Sequence, residues 1–310
     1  ELLKNGESEF EIKLKLSREN IDEEIRINFN NEEKKKIKIN EIPVKKIGDL
    51  MGHLNAVIFS PEDLFIIKQG PAERRRFIDI TLSQLRPSYF YDLQQYARIL
   101  FQRNNLLKRI TVQRSLEDTL EVWDKHLVKT GSRIMKARRK FIGDLSLFAS
   151  ARHEKLTNNE EQLTLNYDPS FDVKDGGQDD ETEKNFYSAL EKNRDSEIRR
   201  GTTMSGPHRD DIDIILNGES TKIYGSQGQQ RTSVLSMKLA EIDLIKEEIG
   251  DCPVLLLDDV LSELDDRRKE YLLESINGSQ TFITCTEMNF YKGQNPAASI
   301  FHIDNGCILL

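Results

Sequence analysis

No apolar run in this chain of 310 residues approaches the roughly 18 residues of a membrane-spanning helix, so no such span is expected. No secretory leader is visible, and Glu1 rather than Met opens the chain. Cysteine is scarce: Cys252, Cys285 and Cys307 are the three present. They lie far apart and make no metal-binding spacing, which excludes a disulfide scaffold and a zinc module and fits a reduced, cytoplasmic setting. An excess of positive charge is also lacking. The net charge is −8, so the protein is not basic all over, although a local basic patch is allowed. No internal repeat is visible.

What is present is charge, 32% of residues, and a hydrophobic fraction of 37%. That is enough for a sizeable core and two lobes. Phe10 to Leu16, Glu24 to Phe29 and Lys36 to Ile39 alternate apolar with charged residues, predicting an antiparallel meander. Val57 to Phe59 reads as a further strand, with Pro61 opening a short helix. From Ala72 the period becomes helical. Ala72 to Leu85 ends before Pro87. Apolar residues from Leu93 to Leu107 and from Leu116 to Phe148 then predict two long helices packed antiparallel, with coiled-coil-like seams. Asp168 to Thr182 reads as a loop and Glu183 to Arg200 as a helix. Ile212 to Leu216 and Thr221 to Tyr224 read as a hairpin about Asn217-Gly218. Thr281 to Thr284, Ser299 to Ile303 and Cys307 to Leu310 read as late strands. The expectation is an α/β head of mixed sheet, residues 1–71 plus 201–310, interrupted by a helical, coiled-coil-like insertion at 72–200.

The stretch from Tyr224 to Asp265 carries the chemistry. A polar loop, Ser226-Gln227-Gly228-Gln229-Gln230, precedes a helix with Val234, Leu235, Leu239, Ile242 and Ile245 at helical spacing. Gly250 and Pro253 bracket its end. Val254 to Leu257 is a short apolar run ending in Asp258-Asp259, which suits a buried parallel strand with its acids at the carboxyl edge. A hydroxyl and free amides at a helix start suit a phosphate. Two adjacent acids repel, and a cation relieves the repulsion. Each piece alone is an ordinary cap or strand end; the ordered combination is not. On strand alternation, Asp258 and Asp259 point to opposite sides.

The SQGQQ loop resembles the signature motif of ABC-type ATPases, Asp258-Asp259 their Walker B and catalytic acids, and Ser262 to Asp265 their D-loop. SGPHRDDIDI (Ser205 to Ile214), FSPEDLFIIK (Phe59 to Lys68) and GPAERRRFIDI (Gly70 to Ile80) narrow the resemblance to the bacterial RecF family of DNA repair proteins. The resemblance implies ATP and Mg²⁺ as cofactors, with Asp258 as metal ligand and Asp259 facing the attacking water. It implies that Ser226, Gln227, Gly228 and Gln229, with Ser262 and Asp265, bind the cofactor, with Ser226 and Gly228 contacting the γ-phosphate held by a second copy, so that the dimer depends on ATP. It further implies a weak, DNA-stimulated ATPase acting at gaps and junctions of double- and single-stranded DNA, near the nucleoid, with RecO, RecR and RecA-type partners.

Three family features are absent. No Gly-rich loop ending in Lys-Ser or Lys-Thr occurs, so the chain is expected to be a fragment that alone binds ATP weakly or not at all. Thr284-Cys285-Thr286 stands where the family's switch His is expected, and no Gln stands in Ser60 to Asp63, the place of the Q-loop. His208, Arg209 and Asp210 read equally as surface charges after a Pro turn. The residues from Arg98 to Lys155 include 14 Lys/Arg against 6 Asp/Glu. Within them Lys125, Lys129, Arg133, Lys136 and Lys140 share one helix face, with Arg74, Arg75 and Arg76 nearby. Solvated face and DNA-backbone surface are the two readings, and the resemblance favours DNA. The competing functions are an SMC-like chromosome structural ATPase and the ATPase subunit of a membrane transporter. The short insertion counts against the first, and the missing switch His and the insertion count against the second.

Overall fold

The computed structural model describes residues 3, 6–18, 21–31, 34–172, 179–286 and 298–309. Part of the expected 168–182 loop, residues 173–178, and the terminal Leu310 lie outside them. The meander forms as expected: β1 (Glu9–Arg18), β2 (Ile21–Asn30), β3 (Lys34–Ile39) and β4 (Ile42–Pro43) make an antiparallel sheet in that order. Its register pairs Phe10 with Phe29 and Ile12 with Ile27, so the alternating apolar residues share one face. β5 (Ala56–Phe59) follows, then a 3₁₀ turn opened by Pro61 and the single turn α1 (Phe65–Lys68).

The helical portion runs α2 (Pro71–Leu85), α3 (Pro87–Ile110) and α4 (Leu120–Thr157), the last 38 residues long. Pro opens α2 and α3 because the first helical position needs no N–H. Asn158, left-handed at φ 55°, ends α4. A strand then appears where none is expected from the sequence. β6 (Leu163–Asp168) pairs antiparallel with β7 (Asp211–Leu216). Between them lies α5 (Asp179–Arg200), which starts earlier than its sequence pattern suggests. The hairpin from β7 reaches only a two-residue strand, β8 (Glu219–Ser220). Thr221–Tyr224, expected as a strand, is instead the helical turn α6. A two-residue partner satisfies β7, and the chain must then turn into the next helix.

That helix, α7 (Gln227–Ile249), ends at left-handed Gly250. β9 (Val254–Asp258) lies between β5 and β10 (Thr281–Thr284), parallel to both. α8 (Asp266–Ser275) separates β9 from β10, and β11 (His302–Asp304) with β12 (Cys307–Leu309) closes the chain as a small hairpin.

α7 is buried on two faces. Val234, Met237, Ala240 and Leu244 join a large cluster with Ile66 and Ile67 of α1, Ile134 and Phe141 of α4, Leu163 of β6 and Ile212 of β7. Leu235, Leu239, Ile242 and Ile245 join a second cluster with Val57, Leu255 and Leu257 of the parallel sheet and Leu272 of α8. The sequence pattern reveals one apolar face on this helix; the fold uses nearly its whole circumference. The apolar seam of α4 is accordingly shared between α3 and α7. Arg152 pins α4 in place, donating to both oxygens of Asp243 at 2.7 Å and to Ser275 of α8 at 3.2 Å. Gly131 allows the close helix packing: a Cβ there would stand 2.6 Å from the Phe186 ring. No helix among the described residues is long and apolar enough to cross a membrane.

Candidate functional site

The parallel sheet delivers Asp258 to its carboxyl edge, as the sequence suggests. There Thr284, the last residue of β10, sits in register with Asp258. Its hydroxyl donates to Asp258 Oδ1 at 2.7 Å and accepts from the Asp259 N–H at 3.1 Å. One side chain thus orients the Walker B-like carboxylate and fixes the backbone beside it. The Thr-Cys-Thr at this position is visible in the sequence; the bond to Asp258 is not. Asp259 has φ 51°, in the left-handed region. The chain has already left the strand, so strand alternation does not set the direction of its side chain; a turn does. The Ser262 hydroxyl donates to the Asp259 carbonyl at 2.7 Å and closes that turn. Among the described residues no three His, Cys, Asp or Glu side chains cluster as a metal site. A Mg²⁺ here would rest on Asp258, phosphate and water, the usual composition of such a shell.

Ser226 is the N-cap of α7. Its Oγ accepts from the Gln229 N–H at 3.2 Å, and Gln229 Oε1 accepts from the Ser226 N–H at 2.8 Å, a reciprocal capping box. Gln227 and Gly228 are exposed, at the positions whose amides have no carbonyl within the helix. Gln230 is buried and donates to the Thr221 carbonyl at 3.2 Å. Asp265 caps α8, accepting from the Arg268 N–H at 2.9 Å; that bond, with the Arg268 guanidinium, holds its carboxyl below the usual range. Arg268 Nε also donates to Thr232 at 2.9 Å, and Arg231 donates to the Glu263 carbonyl at 3.1 Å. The start of α7 and the D-loop-like turn are therefore tied side by side. Ser60 and Asp63 form a capping box of their own, beside a small cleft lined by Leu64, Lys238 and Leu264; burial pushes the Asp63 carboxyl up.

The SGPHRDD segment is a buried node rather than a surface turn. Asp210 is 1% exposed; it accepts from the Tyr167 hydroxyl and from the Ser170 N–H at 2.8 Å. The Pro207 carbonyl accepts from Arg138 at 2.6 Å. His208 Nε2 lies 3.2 Å from the Thr203 carbonyl, which only accepts, so that nitrogen carries the hydrogen. Nδ1 then accepts from the Tyr96 hydroxyl at 2.8 Å. Burial pushes the imidazole down to about 4. Arg209 stays exposed and reaches the Thr203 carbonyl at 3.4 Å. Gly206, at φ +124°, has no room for a side chain: a Cβ would stand 2.5 Å from the Tyr96 hydroxyl.

This node corrects one candidate. Arg74 is 6% exposed, bonded to Asp211 at 2.6 and 2.8 Å and to the Ile66 carbonyl at 3.0 Å, so it contributes nothing to an outer cationic surface. Arg75 is half-buried and donates to the Asp210 carbonyl at 2.6 Å. Of the triplet, Arg76 alone is exposed. On α4, Lys125, Lys129, Arg133, Lys136 and Lys140 are all exposed, along roughly 22 Å of helix. Lys125 pairs with Glu121, and Arg133 forks onto Asp92.

No family model matches the chain. Curated relatives do. It is 54% identical over 277 residues to the DNA replication and repair protein RecF of Acetivibrio thermocellus, covering 89% of this chain and 75% of that one. It is 51% identical over 304 residues to RecF of Ruminiclostridium cellulolyticum, covering 97% and 81%. A solved structure described as the recombination mediator protein RecF-ATPrS in the RecFOR pathway superposes with TM-score 0.92 at 37% identity, covering 99% of this chain and 81% of that one. Its RecF-ATP counterpart gives 0.90.

Proposed function

Because the chain belongs to the RecF family of DNA replication and repair proteins, with the family's ABC-type ATPase head, we propose that it is an ATP-switched DNA-binding protein. The observation that carries this reading is the end of β9: an exposed Asp258 carboxylate, aimed by Thr284, at the carboxyl edge of a parallel sheet. That donor set fits a hydrated Mg²⁺, and the open start of α7 fits phosphate oxygens. ATP with Mg²⁺ would supply the charge that two heads neutralise together, and a bond whose hydrolysis lets them part. Asp258 would hold the metal's water shell, and Asp259 would orient the attacking water. Ser226, Gln227 and Gly228 offer a hydroxyl and backbone amides to the phosphates from the second copy. Gln229 acts through Ser226. Ser262 and Asp265 act by shaping the facing turn.

The exposed stripe on α4, with Arg76, is the DNA-backbone surface in this reading. Two heads joined by ATP place two stripes on one duplex, which raises affinity by effective concentration. Hydrolysis is slow and stimulated by DNA. The protein works in the cytoplasm, at the nucleoid. Its substrates are duplex DNA and double-to-single-strand junctions at gaps, and its partners are RecO, RecR and RecA-type proteins. Sedimentation velocity of the full-length protein should show a dimer with ATP and Mg²⁺ and a monomer without. Ser226→Arg should abolish that dimer. The 310 residues alone, lacking a Gly-rich loop of the Walker A kind, should give none. A Ser226→Arg dimer as strong as wild type would remove this loop from the interface and sink the proposal.

A further inference from the structure

The capping box at the start of α7 does not end with its own two residues. Gln229, whose Oε1 holds the Ser226 N–H, turns its Nε2 to Glu161 and donates to Oε1 at 2.8 Å. Glu161 lies in the short linker between α4 and β6, its side chain about one-fifth exposed. Its other oxygen, Oε2, stands 3.0 Å from Nε2 of His153, which is wholly buried on α4. The far nitrogen of that ring, Nδ1, stands 3.0 Å from the hydroxyl of Ser236, itself buried on α7. Five polar groups thus form one chain from the α4–α7 interface to the signature-like loop.

The protons along it can be placed. A carboxylate only accepts, so His153 Nε2 carries a hydrogen and donates to Glu161. Burial lowers the ring's affinity for a second proton, and the Glu161 bond opposes that only in part. Nδ1 is then the acceptor, and Ser236 donates to it. Ser236 has a second place for its hydrogen, the Thr232 carbonyl at 2.8 Å. A serine, a histidine and a carboxylate in this order resemble a hydrolase triad. Ser236 is sealed between two helices, however, with no exposed surface for a substrate to reach. The chain moves no substrate proton; it fixes orientation.

What it orients is the Gln229 amide. A glutamine side chain in a capping box has several rotamers and two amide faces, and one of these arrangements places Oε1 on the Ser226 N–H. Glu161 accepts from the opposite end of the same amide and so selects that arrangement. We propose that Glu161, held by His153 and Ser236, is a positioning residue for the signature-like loop, setting Ser226 for its contact across the dimer. His153 belongs to the helix that carries the cationic stripe, 13 residues or roughly 20 Å beyond Lys140. The relay therefore joins the DNA-facing helix to the loop that reads nucleotide. The link to nucleotide rests on the function proposed above; the positioning of the loop does not.

The full-length protein tests both parts. Without nucleotide, Glu161→Ala should speed amide hydrogen exchange in residues 226–231 by roughly tenfold, the scale of one lost charge-assisted bond, while the amides of 141–149 on α4 stay unchanged. With ATP, the concentration giving half-maximal dimer should rise by a similar factor at an unaltered melting temperature. Glu161→Gln should restore both readings. Its carbonyl can accept from Gln229, and its amide can donate to Nε2 once His153 moves its hydrogen to Nδ1 and Ser236 turns to the Thr232 carbonyl. Exchange in 226–231 equal to wild type in Glu161→Ala overturns the proposal. So does faster exchange along the whole of α4, which would mean a packing role. A wild-type protein that fails to dimerise with ATP defeats the proposed function instead, and the nucleotide-free exchange still decides the relay.

Discussion

Two sets of cations occupy the helices α3 and α4, and they lead opposite lives. Lys125, Lys129, Lys136 and Lys140 are exposed along one side of α4. Arg103 and Arg138 turn into the core, 0% and 3% exposed. Arg103 donates to Asp124 at 2.6 Å and to Thr203 at 2.7 Å, and it lies in a close ion pair with Glu197 at 2.8 Å. Arg138 divides its fork among Asp79, the Tyr89 hydroxyl and the Pro207 carbonyl. A planar guanidinium can satisfy several fixed partners at once, which an ammonium on a flexible stem cannot. The difference teaches that counting basic residues overstates a binding surface. It also separates two kinds of dependence. The buried set matters to the fold whatever is bound; the exposed set, the DNA surface of the proposed function, matters hardly at all to the fold.

The strongest way to break the comparison is Asp124→Ala. It removes the carboxylate that faces both Arg103 and Arg194, leaving Arg103 to its pair with Glu197 and the cluster with one positive charge in excess. Urea denaturation should show a loss of about 3–5 kcal/mol. A loss under about 1 kcal/mol would put the buried network on a level with surface pairs.

Next comes pH. The folded His208 ring binds its proton at about 4, against about 6.5 in an unfolded chain. As pH falls from 6.5 to 4 the unfolded state is protonated first, so this stabilising contribution, fully present above 6.5, is lost across that window. It amounts to about 3 kcal/mol. Asp210, its carboxyl raised by burial, works in the opposite direction, so the measurement is a difference between wild type and His208→Gln. Parallel stability–pH curves for the two would show that His208 is no buried neutral group.

The smallest effect on the fold belongs to the stripe. Lys129→Glu, Lys136→Glu and Lys140→Glu should each change stability by no more than about 0.5 kcal/mol, since all three side chains are exposed. Arg133 is left in place because Asp92 holds it. In DNA binding the same variant should weaken affinity and flatten the slope of log K against log[salt] by up to about 2.7, three phosphate contacts' worth. Binding that matches wild type across the salt titration would reduce the stripe to a solvated face.

Sequence patterns revealed the elements whose cause is local. Alternation marked β1 to β3, proline marked the turn opened by Pro61 and the end of α2 before Pro87, and glycine marked the end of α7. Elements with a distant cause stayed hidden. β6 exists because β7 pairs with it, and its six residues, LTLNYD, carry too short an alternation to stand out. Thr221–Tyr224 has strand-forming residues, but the connection to α7 overrides them. Direction was equally hidden for polar groups. The carboxylate that pairs with the inward Arg74, Asp211, is 137 positions away and cannot be read from the local sequence. At the candidate site the acids and the loop were legible as motifs. Their supports, Thr284 for Asp258 and Glu161 for Gln229, come from other elements and appear only once the chain is folded.

The parallel sheet has a consequence for biogenesis. β5 pairs with β9 in register from Ala56 with Val254 to Phe59 with Leu257. On a ribosome adding about 5–20 residues per second, β5 emerges some 10–40 s before the strand it must join. Through that interval Val57 and Phe59, both nearly fully buried in the finished protein, lack the strand β9 that they pair beside. The helices α2 to α5 are made meanwhile, and α3 and α4, close neighbours in sequence, can form early. The edge that presents Asp258 is therefore completed only after the helical portion has been synthesised.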